Sequence, residues 1–236
     1  MTKEIYVVGN GKSLENFDFS FFKEKEWIGC CLGYRYWKET NIYPTHYVNV
    51  DNVVLKHNLE DIKDLIINKK CQTFLLSASI VKEWEDVLKY KNVYYIEQFK
   101  RHVGNPFRNL IDWCSGTSAT TYGYLLDADI LHLVGMDCKY VEFIPECIKL
   151  NDGTLKIIKQ PENNPNYFFN GYQQVGDIYN LPNADTIHKC SWEDVRNLMI
   201  LFNILRQKDV MIYNYNDNDT LDNFFQRKSL DDLKNI

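Results

Sequence analysis

Four short stretches of this chain combine residue types that do chemistry. The first is Gly9-Asn10-Gly11-Lys12-Ser13-Leu14, directly behind an apolar run. Two glycines let the backbone turn tightly and approach a ligand, and free N–H groups beside a following helix start suit a phosphate. The letters are not a P-loop: GxxxxGK[ST] ending at Lys12-Ser13 needs glycine where Tyr6 stands. They are not GxGxxG either, because Leu14 occupies the third glycine. A tight strand-to-helix turn that needs positive φ explains the same letters without a ligand. The second stretch, Ser115-Gly116-Thr117-Ser118-Ala119-Thr120-Thr121, opens a helix and crowds hydroxyls at its positive dipole end. Anion binding and plain capping by Ser115 both account for it.

The third stretch is Gly135-Met136-Asp137, behind the apolar run ILHLVG and followed by Tyr140. In open α/β sheets ligands sit outside the carboxyl ends of strands, so an Asp emerging there accepts from a ribose hydroxyl or a base. An Asx-turn at a strand exit is the plainer explanation. Asp51, behind HYVNV, has the same placement and the same two readings. The fourth runs through Tyr167, Tyr172, Tyr179 and His188. Histidine titrates near neutral pH and takes a proton from a hydroxyl, which group transfer requires on the acceptor side, while a lone histidine also serves structurally. Arg101, His102 and Arg108 surround the Gly104-Asn105-Pro106 turn as a cationic cluster that faces either an anion or solvent. None of the remaining histidines has a metal spacing, and His132, inside an apolar strand, is expected in the core.

The elements that must position these groups read as strands at Glu4–Val8, Trp27–Leu32, His46–Asp51, Gln72–Ser77, Val93–Glu97, Ile130–Gly135 and Val210–Tyr215. Helical spacing recurs over Val53–Asn68 (Val54, Leu55, Leu59, Ile62, Leu65, Ile66), Ser79–Tyr90, Thr117–Asp127 and Trp192–Gln207. Ser191 is the expected cap of the last of these. This is βαβ alternation, and several strands are nearly all apolar, as parallel strands covered on both faces are. The expected fold is α/β: a doubly wound, Rossmann-like, mostly parallel sheet. Residues 138 to 185 break the rhythm, with three of the six prolines and many Asn. Asp152-Gly153 between alternating runs predicts a hairpin. The rest is too long for an idle loop, so a lid or substrate-binding insertion within one domain spanning residues 1–236 is expected.

Composition bounds the function. With 236 residues, 45% hydrophobic and 25% charged, the chain is globular rather than disordered or disulfide-stapled. Its 27 Lys+Arg against 32 Asp+Glu give a net charge of −5, so no basic surplus exists to neutralise nucleic acid, though a small anion can still be held locally. Seven Cys without a CxxC pair or zinc spacing are read as reduced. The start, MTKEIYVVGNG, shows no signal peptide, and no apolar run reaches the roughly 18 residues of a membrane span. A cytoplasmic protein is expected; peripheral membrane contact and homo-oligomer formation stay open. The aromatic content is 14%, and Tyr140, Tyr167, Phe168, Phe169, Tyr172 and Tyr179 fall in or beside the aperiodic insertion. Such rings suit stacking on a base or sugar while their hydroxyls donate to phosphate.

In order, GNGKSL, SGTSA, LVGMDCKY and TIHKCSWEDV resemble the sialyltransferases of glycosyltransferase family 42 and the related DUF115 proteins of bacteria and archaea. The resemblance implies a Rossmann-like fold with a lid and an inverting, metal-independent glycosyl transfer from a CMP-linked sugar to a surface glycan, without a separate cofactor. It implies that Asn10 and Asp137 contact the nucleotide; Gly9, Gly11, Ser13, Ser115, Gly116, Thr117 and Gly135, from the stretches above, are the other expected nucleotide-binding residues. Tyr140 would lie near the leaving phosphate, His188 would act as base, and Tyr167 and Tyr172 would belong to the substrate lid. Where the family has Asn at the end of the second strand this chain has Leu32. Where the family has Arg shortly before Ser-Gly, Asp112 and Trp113 stand here, which leaves Arg108 as the nearby arginine. Two alternatives remain: a DUF115-type hydroxymethylpterin diphosphokinase using ATP and Mg²⁺ through Asp51 and Asp137, and a nucleotide- or glycan-binding module without catalysis.

Overall fold

The computed structural model describes residues 2–101, 114–138, 144–180, 192–216 and 225–233. Eight strands form the central sheet: β1 (Glu4–Val8), β2 (Trp27–Cys30), β3 (His46–Asn49), β4 (Thr73–Leu76), β5 (Val93–Tyr95), β6 (Ile130–Val134), β10 (Met211–Asn214) and β11 (Gln226–Arg227). Their order is β5-β4-β3-β2-β1-β6-β10-β11, and every pairing is parallel. The doubly wound α/β arrangement expected from the sequence is the one the chain forms. The chain winds outward from β1 to β5, then returns to place β6 on the other side of β1 with Val8 opposite Val134. The reversal between β1 and β6 is the switch point at which such sheets open a crevice.

The period-two side-chain alternation of β1 divides the core. Tyr6 and Val8 face a layer that includes Leu14, Phe22, Trp27, Tyr47 and Phe74. That face is covered by α1 (Tyr34–Thr40), α2 (Asn52–His57), α3 (Leu59–Ile67) and α4 (Ile80–Glu83). Ile5 and Val7 face the second layer, with Ile28, Val48, Leu131 and Leu133. This side is covered by α5 (Ile96–Arg101), α6 (Ser115–Leu125) and α7 (Trp192–Arg206). Because both faces are buried, alternation of polar and apolar residues is absent from these strands. The aromatic surplus collects in the first layer, where Phe19, Phe22 and Trp27 pack ring on ring and Phe168 of the insertion stacks on Phe19 with centroids 5.0 Å apart.

Three expected elements change. The helix over Val53–Asn68 breaks at buried Asn58, whose side-chain amide donates to the Val54 carbonyl while its oxygen accepts from Tyr34 and Arg35. The helix over Ser79–Tyr90 becomes α4 and a 3-10 turn (Glu85–Lys89), because Trp84 adopts an extended φ of −153°. The strand expected to reach Glu97 ends at Tyr95, and Glu97 instead accepts from the Ala78 N–H and the Ser77 hydroxyl. The expected hairpin does form: β7 (Cys147–Lys149) pairs antiparallel with β8 (Leu155–Ile157), and β9 (Ile178–Tyr179) joins β8. The six described cysteines are free thiols, and Cys190 lies outside the described residues.

Two buried histidines set a pH dependence. His46 lies 2.6 Å from the Thr73 hydroxyl and 3.1 Å from the Glu26 carboxylate. His132, in the core as expected, lies 3.0 Å from Glu4 and stacks on Tyr6 at 4.3 Å. Burial lowers both pKa values, with the glutamates offsetting it in part. The folded state therefore binds fewer protons than the unfolded chain as pH falls through the ordinary imidazole range near 6.5. Their contribution is complete above that range and lost below it, so Tm is expected to fall between pH 7.5 and 5.5. Calorimetry across this interval checks it, and a flat or rising Tm would contradict the shifts.

Candidate functional site

The switch point is closed by hydrogen bonds rather than left open. The Gly9 N–H donates to the Val134 carbonyl and the Gly11 N–H to the Gly135 carbonyl, both at 2.8 Å. Asp137 accepts from the Ser13 N–H at 2.9 Å and from the Ser13 hydroxyl at 2.5 Å. Gly135 takes a φ of +67°, a conformation that favours glycine. A Cβ on Gly9 would overlap the Gly135 carbonyl, and one on Gly11 would overlap the Asp137 carboxylate. Three amide donors of the GNGKSL turn are thus engaged inside the protein, and the chain continues into a three-residue 3-10 turn, Lys12–Leu14, instead of a helix. This corrects the expectation of free phosphate-binding donors there: Val134, Gly135 and Asp137 take them. The turn splices β1 to β6. Asn10 also spends its side-chain N–H, on the Cys30 carbonyl at 3.0 Å.

A cleft of about 580 Å³ opens beside this splice, at the carboxyl ends of β2 and β3. Its floor includes Leu32 and Val50, one wall is Asp51 at the head of α2, and another is Cys114-Ser115 at the head of α6. Cys114, not Ser115, caps α6, its sulfur accepting from the Thr117 N–H at 3.4 Å. This corrects the alternative in which Ser115 was the cap; the Ser115 hydroxyl accepts from the Val50 N–H at 3.3 Å instead. The N–H groups of Ser115 and Gly116 have no acceptor among the described residues. An eleven-residue helix thus points its positive end, with two open donors, at the cleft. Ser115 and residues Thr117 to Gly123 are buried, and Thr120 and Thr121 return their hydroxyls to the carbonyls four residues back, at 2.9 Å each. Small residues let this helix lie close on the sheet: a Cβ on Gly116 would come within 2.9 Å of Met136.

The insertion roofs the cleft. Tyr167 pairs by an antiparallel bridge with Gly11, and the Phe168 N–H donates to the Asn10 carbonyl at 3.3 Å. Buried Asn164 organises the approach, its side-chain oxygen accepting from the Asn166 and Tyr167 N–H groups. The Tyr167 and Tyr172 rings, both on the cleft, stack with centroids 3.7 Å apart. Asn180 donates to Asp51, at 3.1 Å to the nearer oxygen, and Asp51 also caps α2 through the Val53 and Val54 N–H groups. Cys31, on the cleft at a φ of +50°, has its thiol pushed up to about 12 by burial, against a hydrogen bond with Ser115. Burial thus favours its neutral thiol over the thiolate.

Of the residues singled out from the sequence, Leu32, Asp51, Ser115, Tyr167, Tyr172 and Tyr179 line this cleft, whereas Gly9, Gly11, Gly135, Ser13 and Asp137 form the splice beside it. Tyr140, His188 and Arg108, with Ser191 and His102, lie outside the described residues. The sequence reading missed Cys31, Gln173, Asp177 and Asn180 on the cleft and Arg35 behind it. A carboxyl-end position was the available signal for Cys31, and nothing local marked the others.

No protein-family model and no curated protein matches this chain. Among solved structures it is similar to the sialyltransferase CstII from Campylobacter jejuni in complex with a substrate analogue, cytidine-5'-monophosphate. The TM-score is 0.57 at 14% identity, over 95% of this chain and 84% of that one. The same enzyme with CMP-3FNeuAc gives 0.55 at 14% identity, over 96% and 86%. A Maf glycosyltransferase from Magnetospirillum magneticum AMB-1 gives 0.51 at 12% identity, over the whole of this chain but 36% of that protein. At such identities the likeness is one of fold, the Rossmann-like parallel sheet. Among the described residues no helix is long and apolar enough to cross a membrane.

Proposed function

We propose that the protein is a glycosyltransferase that takes a sugar from a CMP-linked donor held in the cleft and passes it to a glycan acceptor. One observation carries this reading: the open N-terminus of α6 faces, across a cleft at the carboxyl ends of β2 and β3, a roof made by the stacked pair Tyr167 and Tyr172. Backbone donors at a positive helix end suit a phosphate, and the aromatic roof suits a base or sugar. The shared fold with a sialyltransferase solved with CMP supports the choice of nucleotide. In this scheme the Ser115 and Gly116 N–H groups receive the phosphate, Thr117, fully buried with its hydroxyl 3.2 Å from the Cys114 sulfur, serves by holding that cap, and Asp51 and Asn10 lie on the nucleoside side. Asp137 acts by holding the turn that carries Asn10. The acceptor hydroxyl attacks the anomeric carbon with inversion through an oxocarbenium-like state. The bond to phosphate breaks, CMP leaves with the electron pair beside Tyr140, and the acceptor proton passes to His188. Arg108 is the proposed counter-charge. The whole chain, 1–236, is proposed to act as one domain with 138–185 as its lid.

A thermal-shift panel tests the scheme. CMP at 100 times its Kd adds about 2.7 kcal/mol, which for a chain of this size raises Tm by roughly 5–10 °C, and EDTA should leave that shift in place. Stabilisation by ATP only with Mg²⁺ would favour the diphosphokinase instead. Release of free CMP from a panel of CMP-linked sugars then reads turnover. The His188→Ala protein should keep the CMP shift and lose release; undiminished release would remove His188 from the mechanism.

A further inference from the structure

A single guanidinium ties the roof of the cleft to the body. Arg35 projects from α1, three residues after Leu32 on the cleft floor. Its Nη1 donates to Asp177 Oδ2 at 2.5 Å and to the Tyr172 carbonyl at 2.8 Å. Its Nη2 donates to Asp177 Oδ1 at 2.8 Å and to the Asn58 side-chain oxygen at 2.9 Å. Three of these four bonds reach the insertion across about 140 residues of sequence, and the fourth anchors the fork in the α2–α3 break.

The pair is buried. The Arg35 and Asp177 side chains are 10% and 12% exposed, whereas every other ion pair among the described residues leaves one partner at least 32% exposed. A buried ion pair is weak evidence for stability, because desolvation consumes most of the Coulombic gain. Its geometry suggests another use. Asp177 also accepts from the Gln174 N–H at 2.7 Å, drawing 174–177 into a tight turn through Gly176 at a φ of +94°. Immediately after it, β9 delivers Tyr179 and Asn180 to the cleft. Immediately before it, the Tyr172 carbonyl is held while the Tyr172 ring lies against Tyr167. The fork thus holds the strap 172–180 at Tyr172 and Asp177, and Asp51 holds its far end at Asn180.

We propose that Arg35 is the positioning residue of the cleft wall: through Asp177 and the Tyr172 carbonyl it sets the strap 172–180, and with it the aromatic roof, in the place that receives the nucleotide. The first half stands on geometry; the second rests on the CMP reading of the cleft. Lysine would keep the charge and lose the two-pronged fork. In Arg35→Met, amides of 172–180 should exchange with solvent about 30-fold faster or more while those of β1 and β6 keep their rates, as local opening without global unfolding requires. CMP affinity should fall by at least roughly tenfold, since the wall is no longer preorganised, and Arg35→Lys should be intermediate.

The double variant Arg35→Met/Asp177→Leu separates positioning from simple support. With neither charge left buried its Tm should recover, while CMP affinity and the exchange of 172–180 should not. Wild-type exchange over 172–180 in Arg35→Met, or a double variant that regains CMP affinity together with its Tm, would overturn the proposal. A wild-type protein that binds no CMP would refute the donor assignment alone, and the exchange measurement would still decide whether Arg35 sets the strap.

Discussion

Asp137→Ala is expected to cost about 3 kcal/mol of folding stability and to remove the stabilising effect of CMP. The carboxylate is 7% exposed and accepts both the N–H and the hydroxyl of Ser13. Hydrogen bonds to a charged acceptor contribute about 1.5–3 kcal/mol each, and truncation also leaves a half-buried N–H without a partner. The functional loss comes from the cargo of the turn: Asn10 accepts from Phe168 of the roof and reaches the end of β2 through its amide. Releasing Ser13 loosens both. Asp137→Asn should cost only about 1 kcal/mol, because an amide still accepts from the N–H and donates to the hydroxyl oxygen. Urea unfolding of the three proteins measures this. A loss below 1 kcal/mol in the alanine variant would mean that water replaces the carboxylate and that the splice is not held there.

Gly9→Ala is expected to be more severe, about 4 kcal/mol or more, or to yield no folded protein. The added methyl would run into the Gly135 carbonyl oxygen, which belongs to backbone and has no rotamer to escape into. Relief requires β1 and β6 to part at their carboxyl ends, breaking the bonds from Gly9 and Gly11. Gly153→Ala is the matched control. Gly153 has a φ of +87° at the hairpin tip, with nothing near its missing Cβ, so only the left-handed backbone is penalised, by about 1 kcal/mol. Equal losses at the two positions would refute the close-approach account.

How far the sequence could be read depended on the range of the interactions involved. Strands β1, β3 and β6 were legible because apolar runs with fixed ends report burial on both faces. The roof was legible as an absence of period, and its hairpin through Asp152-Gly153. The break at Asn58 was not, since periodicity records which side chains are apolar and says nothing of an amide that binds the carbonyl four residues back. The GNGKSL turn misled for a related reason. Its donors looked free because their acceptors, Gly135 and Asp137, lie about 125 residues away. Arg35 and Asp177 carried no local signal at all, and only the fold brings them together. Cysteine as the cap of α6 ran against the usual preference for Ser, Thr, Asp and Asn.

The strand order also has a temporal consequence. β1 is made first and sits between β2 and β6, yet roughly 100 residues are synthesised between the end of β2 and the start of β6. At about 5–20 residues per second the ribosome leaves one edge of β1 without its neighbour for about 5–20 s. The edge that waits, Ile5 to Val8, is apolar and ready to pair with any extended chain. For this fold, the centre of the finished sheet is the margin of the nascent one, and that interval is when a chaperone has most to shield.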